Sequence, residues 1–255
     1  MRTYFYRVIF ISCLLLVSVF SLEGQENRIA IDSISIQQDS NKVEILGSDR
    51  LTLLKVDDTT SIQILAGRVR LRQGKALFNC DSCVLNNSEN IFEAWRNVQI
   101  KDGDSIQVNA RHLLYKIDKK IAYLDGGVTL SDRKAILSTP SLEYNLNTDI
   151  GIYTNGGKVV NKKTTLTSKE GYYYASLKEI YFKNDVKLND PGYKITTDSL
   201  LYNTATQTNR FIAKTTIIDS SGRRIETKDG YYKGGKAEFN QRPTIIDGST
   251  TITGD

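Results

Sequence analysis

A short pattern returns along this chain at steps of 28 to 30 residues, and that beat limits the fold more than any single residue does. The clearest copies are Asn97-Val98-Gln99-Ile100, Gly127-Val128-Thr129-Leu130, Asp185-Val186-Lys187-Leu188 and Thr215-Thr216-Ile217-Ile218. Looser copies stand at Arg68-Val69, Gly157-Lys158 and Pro243-Thr244. Aligned on the Val98 position, the anchors fall at 69, 98, 128, 158, 186, 216 and 244. A second landmark keeps step with the first. Tyr115, Tyr144, Tyr173, Tyr202 and Tyr232, each closing a Leu-x-Tyr or Gly-Tyr-Tyr triplet, follow an anchor by 15 to 17 residues. Two landmarks in phase describe an array of repeats of about 29 residues, in which each unit packs mainly on its neighbours.

Each unit reads as two strands. In residues 105–115, Ile106, Val108 and Ala110 alternate with Gln107, Asn109 and Arg111; in residues 121–130, Ile121, Tyr123 and then Val128, Leu130 alternate with more polar neighbours. A period of two means one buried face per strand. The joints are turn sequences such as Lys101-Asp102-Gly103-Asp104 and Asn189-Asp190-Pro191-Gly192, short enough for antiparallel neighbours. Strands of this length are long for a soluble sheet, and breakers sit in their middles: Gly126-Gly127, Gly156-Gly157 and Pro140. Bending every strand at the same level creases the whole meander along one line. The expected fold is all-β: an elongated antiparallel sheet bent into a V or flattened roll, apolar faces inward and strand edges open at both ends. Seven units would extend about 65–70 Å at the usual strand spacing.

Arg2 and Arg7 precede an apolar run over residues 8–22, and Glu23-Gly24-Gln25 ends it. That is the layout of a secretory signal over residues 1–24, with an uncleaved anchor as the alternative. Residues 25–42 form a lead-in. Cys13 lies inside the apolar run, the wrong place for a lipidated cysteine. The whole chain carries 34 Lys and Arg against 29 Asp and Glu. The surplus is modest and dispersed, which gives no reason to expect nucleic acid as a partner.

The repeat, with Asn-Val or Gly-Val-x-Leu, then Leu-x-Tyr, then Ala122-Tyr123-Leu124 before the next glycine pair, resembles the OstA/LptA family of periplasmic lipopolysaccharide-transport proteins. The likeness covers residues 43–248, and a single repeat domain is expected over 43–255. It implies a bent antiparallel β-jelly-roll whose interior shields lipid A acyl chains. It also implies a periplasmic location, and partners that are lipopolysaccharide and proteins of the same fold joined through strand edges, including a head-to-tail homo-oligomer. On that reading Val98, Ile100, Val108, Val128, Leu130, Val186 and Leu188 line a lipid track; as ordinary sheet core they need no ligand at all. No catalytic residue, metal site or cofactor is expected. The rival readings are a structural or adhesive scaffold packed shut, and a carbohydrate-active enzyme using paired carboxylates.

Other residues carry blander expectations. Cys80 and Cys83 form Cys-Asp-Ser-Cys. Residues three apart in a straight strand lie about 10 Å from each other, so a disulfide needs a turn at Asp81-Ser82; otherwise the thiols stay free. Zinc would need two further ligands, and His112 is the chain's one histidine. His112 and Trp95 read as strand residues. The acid pairs Asp57/Asp58 and Asp102/Asp104, and the basic pairs Lys162-Lys163 and Arg223-Arg224, read as turn charges. The Leu-x-Tyr tyrosines read as a packing ladder, hydroxyls reaching water or a turn.

Overall fold

The structure, a computed structural model, describes residues 42–56 and 61–254. The expected signal, the lead-in through residue 41, and Asp57/Asp58 lie outside the described residues. The described residues form one antiparallel sheet of 21 strands. These begin with β1 (Glu44–Gly47), β2 (Arg50–Lys55), β3 (Ser61–Gln73), β4 (Ala76–Asn86), β5 (Ile91–Asp102), β6 (Ile106–Lys116) and β7 (Ile121–Ser131). Then come β8 (Ile136–Asn145), β9 (Ile150–Tyr153), β10 (Gly157–Asn161), β11 (Thr164–Ser168), β12 (Glu170–Tyr174), β13 (Glu179–Asp190) and β14 (Tyr193–Asn203). The last are β15 (Thr208–Phe211), β16 (Thr215–Asp219), β17 (Arg224–Thr227), β18 (Gly230–Lys233), β19 (Lys236–Phe239), β20 (Thr244–Asp247) and β21 (Thr250–Thr253).

The crease is built from one device used repeatedly. In β3, β5, β7 and β13 two consecutive residues take positive φ: Gly67-Arg68, Arg96-Asn97, Gly126-Gly127 and Asn184-Asp185. Register is lost there, two residues opposing one on the neighbouring strand. Such a bulge bends the strand sharply. Glycine accepts this backbone freely, and asparagine and aspartate accept it better than most side chains. The facing residues are Asp81, Arg111, Pro140 and Asp198; Pro140 removes no ladder bond because a bulge needs none there. Farther along, the bend interrupts the strand altogether, as between β9 and β10 and between β15 and β16.

The bend divides the sheet into two layers that face each other. Layer 1 runs through β2, the 61–66 half of β3, the corresponding halves of β4 to β8, then β9, β12, halves of β13 and β14, β15, β18 and β19. Layer 2 runs through β1, the other halves, β10, β11, β16, β17, β20 and β21. Strands pass from layer to layer at the crease. At the opposite margin, the lip, every turn among the described residues returns into its own layer.

The facing surfaces form a continuous apolar core from Leu65 to Tyr232. Phe78 of layer 2 meets Phe92 and Tyr115 of layer 1 at ring-centroid distances of 5.2 and 4.9 Å. Burying side chains of this size contributes roughly 1.5–3 kcal/mol each, the main force holding the layers together.

Two details of register differ from the sequence reading. The inward residues equivalent to Val98 and Ile100 are Gly157 and Val159, and Thr215 and Ile217; Lys158 is exposed and Thr216 half-buried. The anchors at 158 and 216 are therefore one residue late, and a one-residue slip in a strand exchanges its faces. The strands opposite the bulges change phase at the crease. Their inward residues step by three there, as in Cys80/Cys83, Ala110/Leu113, Thr139/Leu142 and Thr197/Leu200. A hydroxyl at the first position braces the bend: Thr139 Oγ1 donates to the Ser141 and Gly156 carbonyls, and Thr197 Oγ1 to those of Ser199 and Lys214.

Candidate functional site

The apolar interior and its lip are the features of this sheet that could hold a ligand. Val98, Ile100, Val108, Val128, Leu130, Val186 and Leu188 all lie on layer 2, each no more than 2% exposed. They form one wall. The opposite wall belongs to layer 1 and includes Phe92, Leu113, Leu124, Leu142, Phe182 and Leu200, equally buried. Of these, Leu113, Leu142 and Leu200 follow the phase change at the crease, whereas Phe92, Leu124 and Phe182 precede the bulge on the same strands as the Val-x-Leu residues.

The lip is closed by side chains. Tyr115 Oη donates to Gln73 Oε1 at 2.5 Å, Tyr144 Oη to Asp102 Oδ2 at 2.9 Å, and Tyr173 Oη to Asp132 Oδ2 at 3.1 Å. Each tyrosine stands on layer 1 and each acceptor at a strand end of layer 2, so each bond is a rung across the lip. Gln73 Nε2 also donates to the Ile117 carbonyl, Thr204 Oγ1 to Asp132 Oδ2, and Asn161 Nδ2 to the Thr204 carbonyl. Lys75 adds an ionic tie, 3.2 Å from buried Asp102 and 3.4 Å from Asp149 on the other layer. Among the described residues no backbone hydrogen bond spans the lip.

The pKa values of the two carboxyl rungs move in opposite directions. Burial raises the pKa of Asp102, and the Tyr144 bond and Lys75 only partly oppose it. Burial acts on Asp132 too, but the amides of Ala135 and Lys134 and the hydroxyls of Thr204 and Tyr173 outweigh it and hold the carboxyl below its usual range. The sequence reading took Asp102/Asp104 as a turn pair. In the structure Asp104 is exposed whereas Asp102 is 3% exposed and bound into the lip.

Toward the C-terminal end the ladder lapses. Among the described residues the Tyr202 hydroxyl has no hydrogen-bond partner, although the side chains of Asn161 and Gln207 stand beside it. Asp190, in the next rung position, is held by its own layer, accepting from Thr164 Oγ1 at 2.5 Å and the Gly192 amide at 3.1 Å. Beside these positions lies a cavity of about 450 Å³, lined by residues of both layers including Tyr193, Tyr202, Tyr232, Asp219 and Arg223. What still crosses the lip there is the buried bond from Asn161 Nδ2 to the Thr204 carbonyl at 2.9 Å, Lys162 Nζ to Gln207 Oε1 at 3.3 Å, and Asn209 Nδ2 to the Tyr193 hydroxyl at 3.0 Å.

The remaining candidates have structural surroundings. Cys80 and Cys83 are free thiols, 5% and 0% exposed. No disulfide joins them, and the chain makes a crease, not a turn, at Asp81-Ser82. The crease directs both inward, and hydrogen bonding to Cys80 together with burial pushes the Cys83 thiol well up. Enclosed in the core, these thiols should react with iodoacetamide at least tenfold more slowly in the native protein than in urea. Native labelling as fast as in urea would contradict that enclosure; loss of labelling in urea until a reductant is added would reveal a disulfide. His112 sits between Asp125 (2.9 Å) and Glu93 (2.8 Å), with Trp95 alongside. Partial burial pulls its pKa down, but the two carboxylates outweigh that and raise it. Arg223 and Arg224 pair with Asp219 and Glu226.

A sequence profile described as OstA-like protein matches residues 40–198, more than half of the chain. A comparison with curated proteins gives no match. Among solved structures there is similarity to the crystal structure of LptH, the LptA-homologous periplasmic component of the lipopolysaccharide transport device of Pseudomonas aeruginosa. Identity there is 14%, the match covers 41% of this chain and 79% of that one, and the TM-score is 0.37.

Proposed function

The chain belongs to the OstA-like protein family, and on that premise we propose that it is a periplasmic lipopolysaccharide-binding transport protein which shields lipid A acyl chains between its two layers. The observation that carries this reading is the interior: one apolar core runs through the repeats, bounded on one side by a crease and on the other by side chains alone. An acyl chain needs no directional partner, and its removal from water is worth about 25 cal/mol per Å². The wall residues are buried against each other, so loading requires the layers to part about the crease. Breaking side-chain rungs of about 1 kcal/mol each permits that without loss of strand pairing. Phosphates of the head group would stay at the lip, near exposed Arg133, Lys134, Lys162 and Lys163.

The sheet edges suit head-to-tail assembly with another copy or with a protein of the same fold. Within the described residues β2 pairs on one side only, with β3. Its Leu51 and Leu53 are 56% and 66% exposed. An added strand would pair with this edge and cover those side chains.

The rival is a scaffold that never opens, favoured by the near-complete burial of the seven wall residues. A diazirine amino acid in place of Leu130, irradiated in living cells, separates the two. The transport reading expects covalent lipopolysaccharide adducts. No adducts, while an established lipopolysaccharide carrier in the same cells gives them, would leave the scaffold.

A further inference from the structure

The lip is not uniform, and its irregularity has a direction. The polar rung positions on layer 2 recur at 73, 102, 132, 161 and 190, and their tyrosines at 115, 144, 173, 202 and 232. The first three rungs are made, with Asp132 doubly tied through Thr204 and Asp102 tied also to Lys75. At the fourth, Asn161 crosses to the Thr204 carbonyl and leaves the tyrosine hydroxyl buried and unpartnered. At the fifth, the carboxylate has turned to Thr164 and Gly192 of its own layer. A buried hydroxyl without a partner is costly, about 1–3 kcal/mol, and is rarely left so without reason. The cavity of about 450 Å³ opens at these two lapsed rungs. Tyr202 and Tyr232 in its lining belong to the apolar core, and Ile225 and Ala237 pack against that core, so the cavity leads into the interior.

Resting on the transport reading above, we propose that this cavity is the port of the interior: the layers part first at the fourth and fifth rungs, and an acyl chain of a hydroxyl-bearing amphiphile enters there. The chemistry of the lining suits such a ligand at its boundary. Tyrosine faces accept hydrocarbon and sugar rings alike, while the Tyr202 hydroxyl, buried and unpartnered in the lining, can donate to or accept from a head-group hydroxyl. Asp190 and Asp219 outnumber Arg223 in the lining, which favours hydroxyls over phosphates at this point. The three made rungs act as the fixed part of the lip, opening later, as the chain advances.

The test uses the full chain carrying Cys13→Ala, Cys80→Ala and Cys83→Ala, with cis-parinaric acid as the probe. One variant adds Lys162→Cys and Gln207→Cys beside the port; the other adds Lys75→Cys and Asp149→Cys across the made rungs. A bis-maleimide then staples each pair. The port staple should slow uptake of the fluorescent fatty acid at least tenfold, and the other staple less than twofold. Ala237→Phe, which fills the cavity without a cross-link, should slow uptake in the same direction. Equal slowing by both staples, slowing by the Lys75/Asp149 staple alone, or unimpeded uptake with the port stapled would overturn the port. If the unstapled chain takes up no probe, and no lipid adducts form at position 130, it is the transport reading that fails, and the port with it.

Discussion

Asp132→Ala should lower the free energy of unfolding by about 3–4 kcal/mol, more than any other single change at the lip. Asp132 collects four donors: the Lys134 amide at 2.9 Å, the Ala135 amide at 2.8 Å, Thr204 Oγ1 at 2.9 Å and Tyr173 Oη at 3.1 Å. Lys134 is exposed and water can replace its partner. The other three bonds are buried; deleting the carboxylate leaves the Ala135 amide and the Tyr173 hydroxyl short at about 1–3 kcal/mol each, partly relieved by water entering the vacated space, while Thr204 Oγ1 keeps the Lys178 carbonyl at 3.2 Å. Tyr173→Phe removes one of those bonds and leaves Asp132 with three, so about 1 kcal/mol is expected. Because the native carboxyl titrates below its usual range, its contribution is present at neutral pH and lost as pH falls through the folded-state value. The Asp132→Ala penalty, read from urea titrations, should therefore shrink in acid. Equal small costs for both variants, or a penalty that grows in acid, would show that Asp132 does not hold the lip.

Gly171→Ala is expected to cost about 3 kcal/mol although it adds a single methyl group. Tyr153, at the end of β9, is 1% exposed, and its ring fills the space above two glycines. A Cβ at Gly171 would fall inside van der Waals contact with Cε1, Cζ and Oη of that ring, and one at Gly157 would meet its other edge. The ring cannot move aside, since its hydroxyl is also bound to Ser168 Oγ at 2.7 Å. Gly157 and Gly171 have ordinary backbone angles, so close approach and not φ requires glycine there. The control is Gly192→Ala, where a Cβ meets only Asp190 Oδ1 at an ordinary 3.6 Å; a change within about 0.5 kcal/mol is expected. Removing the ring should relieve the clash, so Tyr153→Ala and Gly171→Ala together should cost less than the sum of their separate effects. Additive costs, or a Gly171→Ala variant as stable as the parent, would disprove the wedge.

Much of the architecture is legible in the chain because it is local. Alternation of apolar and polar residues defines a strand wherever it occurs, and a turn sequence sets the next antiparallel neighbour. Gly126-Gly127 and Pro140 mark the crease because backbone angles and missing donors are properties of the residues themselves. At Arg96-Asn97 and Asn184-Asp185 the same bulge carries ordinary side chains, and the sequence signal fades.

The lip is another matter. Its rungs join residues 41 or 42 apart, acceptor on one layer and tyrosine on the other. The recurrence of Gln73, Asp102, Asp132, Asn161 and Asp190 on the common beat was a usable clue. Periodicity alone cannot tell a turn residue facing water from one facing the opposite layer. The same limit separated Asp102 from Asp104 and turned Cys83 to the same side as Cys80. The sequence by itself determined that this chain is a repeating antiparallel sheet, bent along one line with its apolar side inward. Only the tertiary structure decided which polar groups meet across the open margin and where that margin gives way, because those pairings exist only once two distant stretches have been folded against each other.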